Sequence, residues 1–146
     1  MKKIIIVFVL LFHNLFAFDK DTTLKVYNKI FTSIFPQKDV INIYVLNQQY
    51  IDLFKNSHKF KIVYNIKKAS VAIVTSQKEL EEIQKIKTKN SIIIFATQEK
   101  LLFDNKLTIG AFYWKKGRSQ LLFVKDRLDK YHIKLPNEYD KFIIEL

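Results

Sequence analysis

The chain has no cysteine among its 146 residues. That excludes disulfide scaffolding, thiolate nucleophiles and thiolate-ligated zinc. Histidine is nearly as scarce: His13, His58 and His132 are the full set, which leaves little material for a metal centre. Two glycines and two prolines are too few for a low-complexity filament. A hydrophobic share of 49% is too high for a disordered chain. Arginine is confined to Arg118 and Arg127, although basic residues outnumber acidic ones 25 to 14. Arginine is the side chain that grips phosphate bidentately. The formal net charge of +11 therefore reads as lysine-rich solvated surface, and no nucleic-acid partner is expected. Attraction to an acidic protein surface or to anionic headgroups stays open.

Catalytic signatures are missing as well. There is no GxSxG, HExxH, Walker loop, GxGxxG or acidic calcium loop. Glu79, Glu81 and Glu82 cluster, but in the first turns of an expected helix, where carboxylates complement the helix dipole. His58 and His132 fall in lysine-rich connections without an acidic residue to orient them. Neither an enzyme nor a cofactor nor a metal is expected.

What the chain does have begins with an address. Lys2 and Lys3 precede an unbroken apolar run from Ile4 to Phe12, and Leu15-Phe16-Ala17 closes it before Asp19, Lys20 and Asp21. A spanning helix needs about 20 apolar residues. Residues 1–17 are shorter than that and read as a secretory signal peptide cleaved after Ala17, with an uncleaved anchor as the alternative. No Cys follows the run, which excludes a lipoprotein. Residues 18–146 are then one domain in an exported compartment, the periplasm. Cleavage removes Lys2 and Lys3 and no acid, so the charge falls from +11 to +9.

Periodicity along that domain predicts an α/β fold. Leu24, Tyr27, Ile30, Phe31, Ile34 and Phe35 recur at helical spacing over 22–35, with Asp21 or Thr22 as cap and Pro36 as stop. Alternation predicts a strand over Val40–Leu46, and a short helix follows over Gln48–Phe54. Phe60–Tyr64, Val71–Val74 and Ser91–Phe95 read as further strands. Between the last two, Ser76 and Glu79 form a capping box for a helix that turns Leu80, Ile83 and Ile86 inward. Strands apolar on both sides imply a sheet covered on both faces, built from parallel βαβ units. Leu107–Trp114 and Gln120–Val124 read as a C-terminal antiparallel hairpin around Lys115-Lys116-Gly117-Arg118, with Gly117 supplying positive φ. Lys125–Tyr131 offers one or two helical turns. Asn137 then caps a last helix with Tyr139, Phe142, Ile143 and Leu146 on its apolar side.

One segment stands out as a binding candidate. Tyr113, Trp114, Lys116 and Arg118 combine aromatic and cationic groups at a hairpin tip, the residue types that dominate binding hot spots. The alternative reading is that Phe112 and Trp114 fill a sheet face while the lysines solubilise a turn. The amphipathic first helix has the same two readings, sheet cover or dimer seam. A competing function is a small-ligand binding module, with its pocket near the ends of Ile41–Leu46 and Val71–Thr75.

The order of elements and the spacing Gly110…Gly117-Arg118…Leu128…Leu135 resemble the YfiR-like family of small periplasmic proteins. The shared features are an exported first helix, an α/β core with strands like Ile41–Leu46 and Val71–Val74, a Gly-containing strand, a Gly-Arg turn and a returning strand. Val124 stands where the family commonly has Asn, and the lack of cysteine rules out the family's disulfide-based control. The resemblance implies a regulator that binds the periplasmic part of an inner-membrane signalling protein, such as a diguanylate cyclase or a sensor kinase, and holds it inactive. It also implies a homodimer as the acting form. At the level of positions it implies Gly117 and Arg118 as the turn and Gly110 as a site of close backbone approach.

Overall fold

The computed structural model describes residues 19–86 and 92–146. The expected signal segment, residues 1–17, lies outside the described residues, as does Ser91. Among the described residues no helix is long and apolar enough to cross a membrane.

The first helix, α1 (Lys20–Ile34), starts earlier than periodicity suggests because Asp19 caps it. Its carboxylate accepts from the amides of Asp21 at 3.1 Å and Thr22 at 3.3 Å, and from the Thr22 hydroxyl at 2.7 Å. Two orphan amides are thereby satisfied. Tyr27, Ile30, Phe31 and Ile34 form its buried stripe. β1 (Ile41–Val45) follows, with Ile41, Ile43 and Val45 buried. Asn47 then caps α2 (Gln48–Phe54), accepting from the Gln49 amide at 3.0 Å. β2 (Phe60–Ile62) is shorter than expected, and Tyr64 beyond it is 82% exposed. A 3₁₀ turn (Ile66–Lys68) leads into β3 (Val71–Val74).

At α3 (Gln77–Lys85) the cap differs in one leg from a capping box. The Ser76 hydroxyl accepts from the Glu79 amide as expected, at 3.2 Å. The Glu79 carboxylate passes over Ser76 and accepts from the amide of Thr75 at 2.6 Å. Leu80 and Ile83 face inward, whereas Ile86 ends the helix and is exposed. β4 (Ile93–Ala96), α4 (Glu99–Phe103), β5 (Thr108–Lys115), β6 (Arg118–Val124) and α5 (Lys125–Lys130) complete most of the chain. The C-terminal segment departs from the expectation of a helix running past Ile143. It forms a 3₁₀ helix (Asn137–Phe142) with Pro136 rather than Asn137 at its cap position, then an edge strand, β7 (Ile143–Ile144).

The seven strands form one sheet in the order β2-β1-β3-β4-β5-β6-β7. Pairing is parallel from β2 through β5, antiparallel between β5 and β6, and parallel again between β6 and β7. Helices cover both faces, so the α/β architecture is as the strand patterns imply. One face is aromatic: the buried Tyr27 ring lies 5.2 Å from Phe54, 5.5 Å from Phe112, 5.7 Å from Phe31 and 6.1 Å from Phe95. Each such pair adds about 0.5–1.5 kcal/mol beyond its area. The opposite face carries Ala72, Ala96 and Ala111 under Leu80, Ile83, Leu101 and Leu102. Small residues there let α3 and α4 settle close to the strands.

Candidate functional site

β4 ends at Ala96, which pairs with Ala111. β5 continues to Lys115. Phe112–Lys115 and their partners Arg118–Leu121 therefore project beyond the carboxyl ends of the parallel strands as a two-stranded ribbon. Its turn has φ of 51° at Lys116 and 75° at Gly117. Positive φ at both central residues is the primed turn whose twist matches the flanking strands. Gly110 lies at the ribbon's root. A Cβ there would sit 2.7 Å from the Leu122 carbonyl oxygen, 2.7 Å from Phe123 Cδ1 and 3.1 Å from Phe95 Cε2.

Strand alternation divides the four expected contact residues. Phe112 and Trp114 share the aromatic face, their rings 6.3 Å apart. Tyr113 is buried on the other face among α3 and α4 side chains. Burial and the nearby Glu99 carboxylate push its hydroxyl pKa up. Lys115 sits on that same side and pairs with Glu99 at 3.1 Å, tying the ribbon to the first turn of α4. Trp114 remains 45% exposed, and Lys116 and Arg118 are exposed. The tip thus presents Trp114 on one face and Arg118 on the other, with Lys116 in the turn between them, while Tyr113 serves the interior.

Because β1, β2 and β5 run parallel, their carboxyl ends share one edge of the sheet. Leu46, 47% exposed, and Tyr64 stand there with Trp114. The same edge holds the point where strand order reverses, between β1 and β3, where α/β sheets commonly bind ligands. Here its polar groups are committed internally. Glu79 takes the Thr75 amide and hydroxyl, Gln98 Nε2 donates to the Thr75 carbonyl at 2.8 Å, and the Thr97 hydroxyl donates to the Val74 carbonyl at 3.1 Å. An open groove of about 920 Å³ lies at the opposite end, between the Pro36 turn and the segment Lys130–Lys134. His132 borders it in a left-handed conformation, φ 55°, that ends α5. His58 is exposed, far along the chain from any cluster. Among the described residues no three His, Asp or Glu side chains come together as metal ligands would.

No sequence motif marks Arg127. Its Nη1 donates to the carbonyls of Leu102 at 2.9 Å and Thr108 at 2.8 Å, and burial lowers its pKa. It locks α5 against the start of β5. A lone arginine in a short polar segment carries no signal for such long-range pairing.

No family model matches this sequence, and no curated protein matches it. Its fold is similar to the crystal structure of a conserved domain protein from Vibrio cholerae, with a TM-score of 0.60 and 12% sequence identity. The match covers 84% of this chain and 59% of that one, so this chain spans about three fifths of that neighbour's length. At that identity the likeness concerns the fold alone.

Proposed function

We propose that this chain is an exported regulator that works by binding, not by catalysis, and that it resembles the YfiR-like proteins in this. Its partner is the periplasmic part of an inner-membrane signalling protein, a diguanylate cyclase or a sensor kinase. The projecting ribbon supports this reading more than any other observation: its tip leaves Trp114 half-exposed on one face, Arg118 exposed on the other and Lys116 in the turn between them, with the Lys115–Glu99 pair at its base. An aromatic anchor on a hairpin tip that also carries cations loses little conformational entropy on binding and suits an acidic, partly apolar surface. Regulation is then a population shift: the chain prefers one conformation of the sensor's outer domain, and its differential affinity sets how far the equilibrium moves. A homodimer is compatible with this scheme.

The test is co-purification of the chain with the sensor's periplasmic domain. Replacing Trp114 and Arg118 together with alanine should reduce capture by roughly a hundredfold, since each hot-spot side chain is worth about 1–2 kcal/mol or more. Undiminished capture by a folded double variant refutes the tip as the contact. The ligand-binding alternative places its pocket at the carboxyl ends of β1 and β3, whereas the open groove of about 920 Å³ lies at the opposite end; a small-molecule rise in melting temperature would support that alternative.

A further inference from the structure

We infer that the outer edge of β6, at Ser119 and Leu121, is a strand-addition site for an extended segment in which apolar and acidic residues alternate. The inference rests on the protein-binding reading above and names the surface and the chemistry that it takes.

β6 has seven residues, but β7 covers only Phe123 and Val124. Among the described residues no strand lies against Arg118–Leu122 on that side. Which backbone groups point outward follows from the hairpin. In a two-residue hairpin the closing pair, here Lys115 and Arg118, exchanges both backbone hydrogen bonds, and the pairs alternate from there. The register runs unbroken to Gly110 and Phe123. Arg118, Gln120 and Leu122 therefore bond inward, while Ser119, Leu121 and Phe123 turn N–H and C=O outward. That β7 meets β6 at Phe123 agrees with this parity. Ser119 and Leu121 then offer two donors and two acceptors to an incoming strand. No proline and no bulge guards this edge, and an unguarded edge is a template for pairing.

The side chains around the edge set what the strand must carry. On the Leu121 side lies a groove of about 250 Å³ formed with Val26, Ile30, Tyr139 and Phe142. Its rim charges are engaged: Lys29 pairs with Glu138 at 3.2 Å, and Lys141 lies over the Phe142 ring at 5.1 Å. That side takes apolar residues. On the other side Arg118 is exposed, and none of the ion pairs between described residues involves it. Neighbouring residues of a strand point to opposite faces, so a segment alternating apolar and acidic residues satisfies both sides at once. A second copy fits worse. Antiparallel pairing centred on Gln120 would set each Arg118 beside Leu122 of its twin, without an acidic partner, and would bring together two strongly basic chains.

The probe is an alternating valine–glutamate peptide of about eight residues, a common strand length, titrated into the isotope-labelled full chain. Amide exchange at Ser119 and Leu121 should slow by roughly tenfold or more on saturation. Arg118→Glu should weaken binding roughly tenfold. Ser119→Pro should abolish binding while sparing the β5 ladder, because the amide it removes points outward. The same peptide N-methylated at its valines, and a second version N-methylated at its glutamates, between them remove those bonds from the ligand side whichever way the strand runs, so the test does not depend on the proline variant folding. No binding, protection confined to other amides, or binding that tolerates both N-methylations overturns the site. Protection of the same amides by raising chain concentration without peptide makes a second copy the occupant, and also overturns it. Sensor capture that persists in Ser119→Pro rejects this edge and leaves the regulator reading standing. Absence of capture by the unmodified chain rejects that reading, and the peptide titration still judges the edge.

Discussion

Replacing Gly110 with alanine puts a methyl group where two neighbours already stand. The new carbon would be 2.7 Å from the Leu122 carbonyl oxygen and 2.7 Å from Phe123 Cδ1, with Phe95 Cε2 at 3.1 Å. The conformation of Gly110 is not the reason, since Gly117 is the glycine with positive φ. Crowding is. A phenylalanine ring can shift by a few tenths of an ångström, but Phe123 and Phe95 are fully buried and touch each other at 6.1 Å between centroids. The Leu122 oxygen has less freedom still, because Leu122 is held in register opposite Ala111. Overpacking a tight core costs about 1–3 kcal/mol, and a fixed backbone atom places this site in the upper half, at about 2–3 kcal/mol. For a domain of this size each kcal/mol moves the melting midpoint by roughly 3–5 °C. Gly110→Ala should therefore melt roughly 6–15 °C lower in a calorimetric scan. Ala111→Gly, on the same strand but the other face, is the control. It loses a methyl and some backbone restriction, about 1 kcal/mol. A Gly110→Ala midpoint within about 2 °C of the unmodified chain, or a smaller loss than the control's, would refute the crowding argument.

Two further expectations concern the turn and the first helix. Gly117→Ala should cost about 1 kcal/mol, because an L residue at φ 75° strains the backbone, whereas Lys116→Asn should gain a few tenths of a kcal/mol at a position where Asn is favoured; chemical denaturation midpoints resolve both, and a stabilised Gly117→Ala would contradict the turn assignment. Hydrogen bonds from the Thr22 hydroxyl and then its amide hold the Asp19 carboxyl below its ordinary value of 3.8. A carboxyl depressed by folding contributes stability that is fully present above the unfolded pKa and lost as pH falls through the folded one. The start of α1 should accordingly loosen as the solution is acidified below about pH 4. Asp19→Asn keeps a capping oxygen without the titration, and should flatten part of the fall in melting temperature between neutral and acid pH. An unchanged acid slope in that variant would show that the cap does not titrate as described.

Much of the architecture was legible because it is locally encoded. α2 runs over Gln48–Phe54, the span that its apolar residues predict. The two-sided apolar runs Val71–Val74 and Ile93–Ala96 are central strands with helices on both sides. Lys116-Gly117 is a turn whose chemistry needs no distant contact. Other features have no local signature. α4 spans five residues without a side-chain cap, so nothing in Glu99–Phe103 marks it apart from the sheet surface that it covers. Ile143, with Ile144 beside it, continues the apolar spacing of Tyr139 and Phe142 as a helix would. They become a strand because the outward groups of Phe123 offer hydrogen bonds that a frayed helix end would lack.

The candidate site divides along the same line. Alternation alone places Tyr113 and Trp114 on opposite faces of a strand. Which of them is buried depends on what each face meets beyond the end of β4. α4 brings Glu99 to the Tyr113 and Lys115 side, while Trp114 rests against Phe112 at its edge. The open flank of β6 is likewise invisible in one dimension, because it exists only where β7 stops. Hydrophobic period, caps and turn residues are properties of a few neighbouring side chains, and these the chain's own order determined. Strand order, the reach of the ribbon past its neighbours and the exposure of Ser119 and Leu121 depend on contacts between residues far apart in that order, and only the assembled sheet decided them.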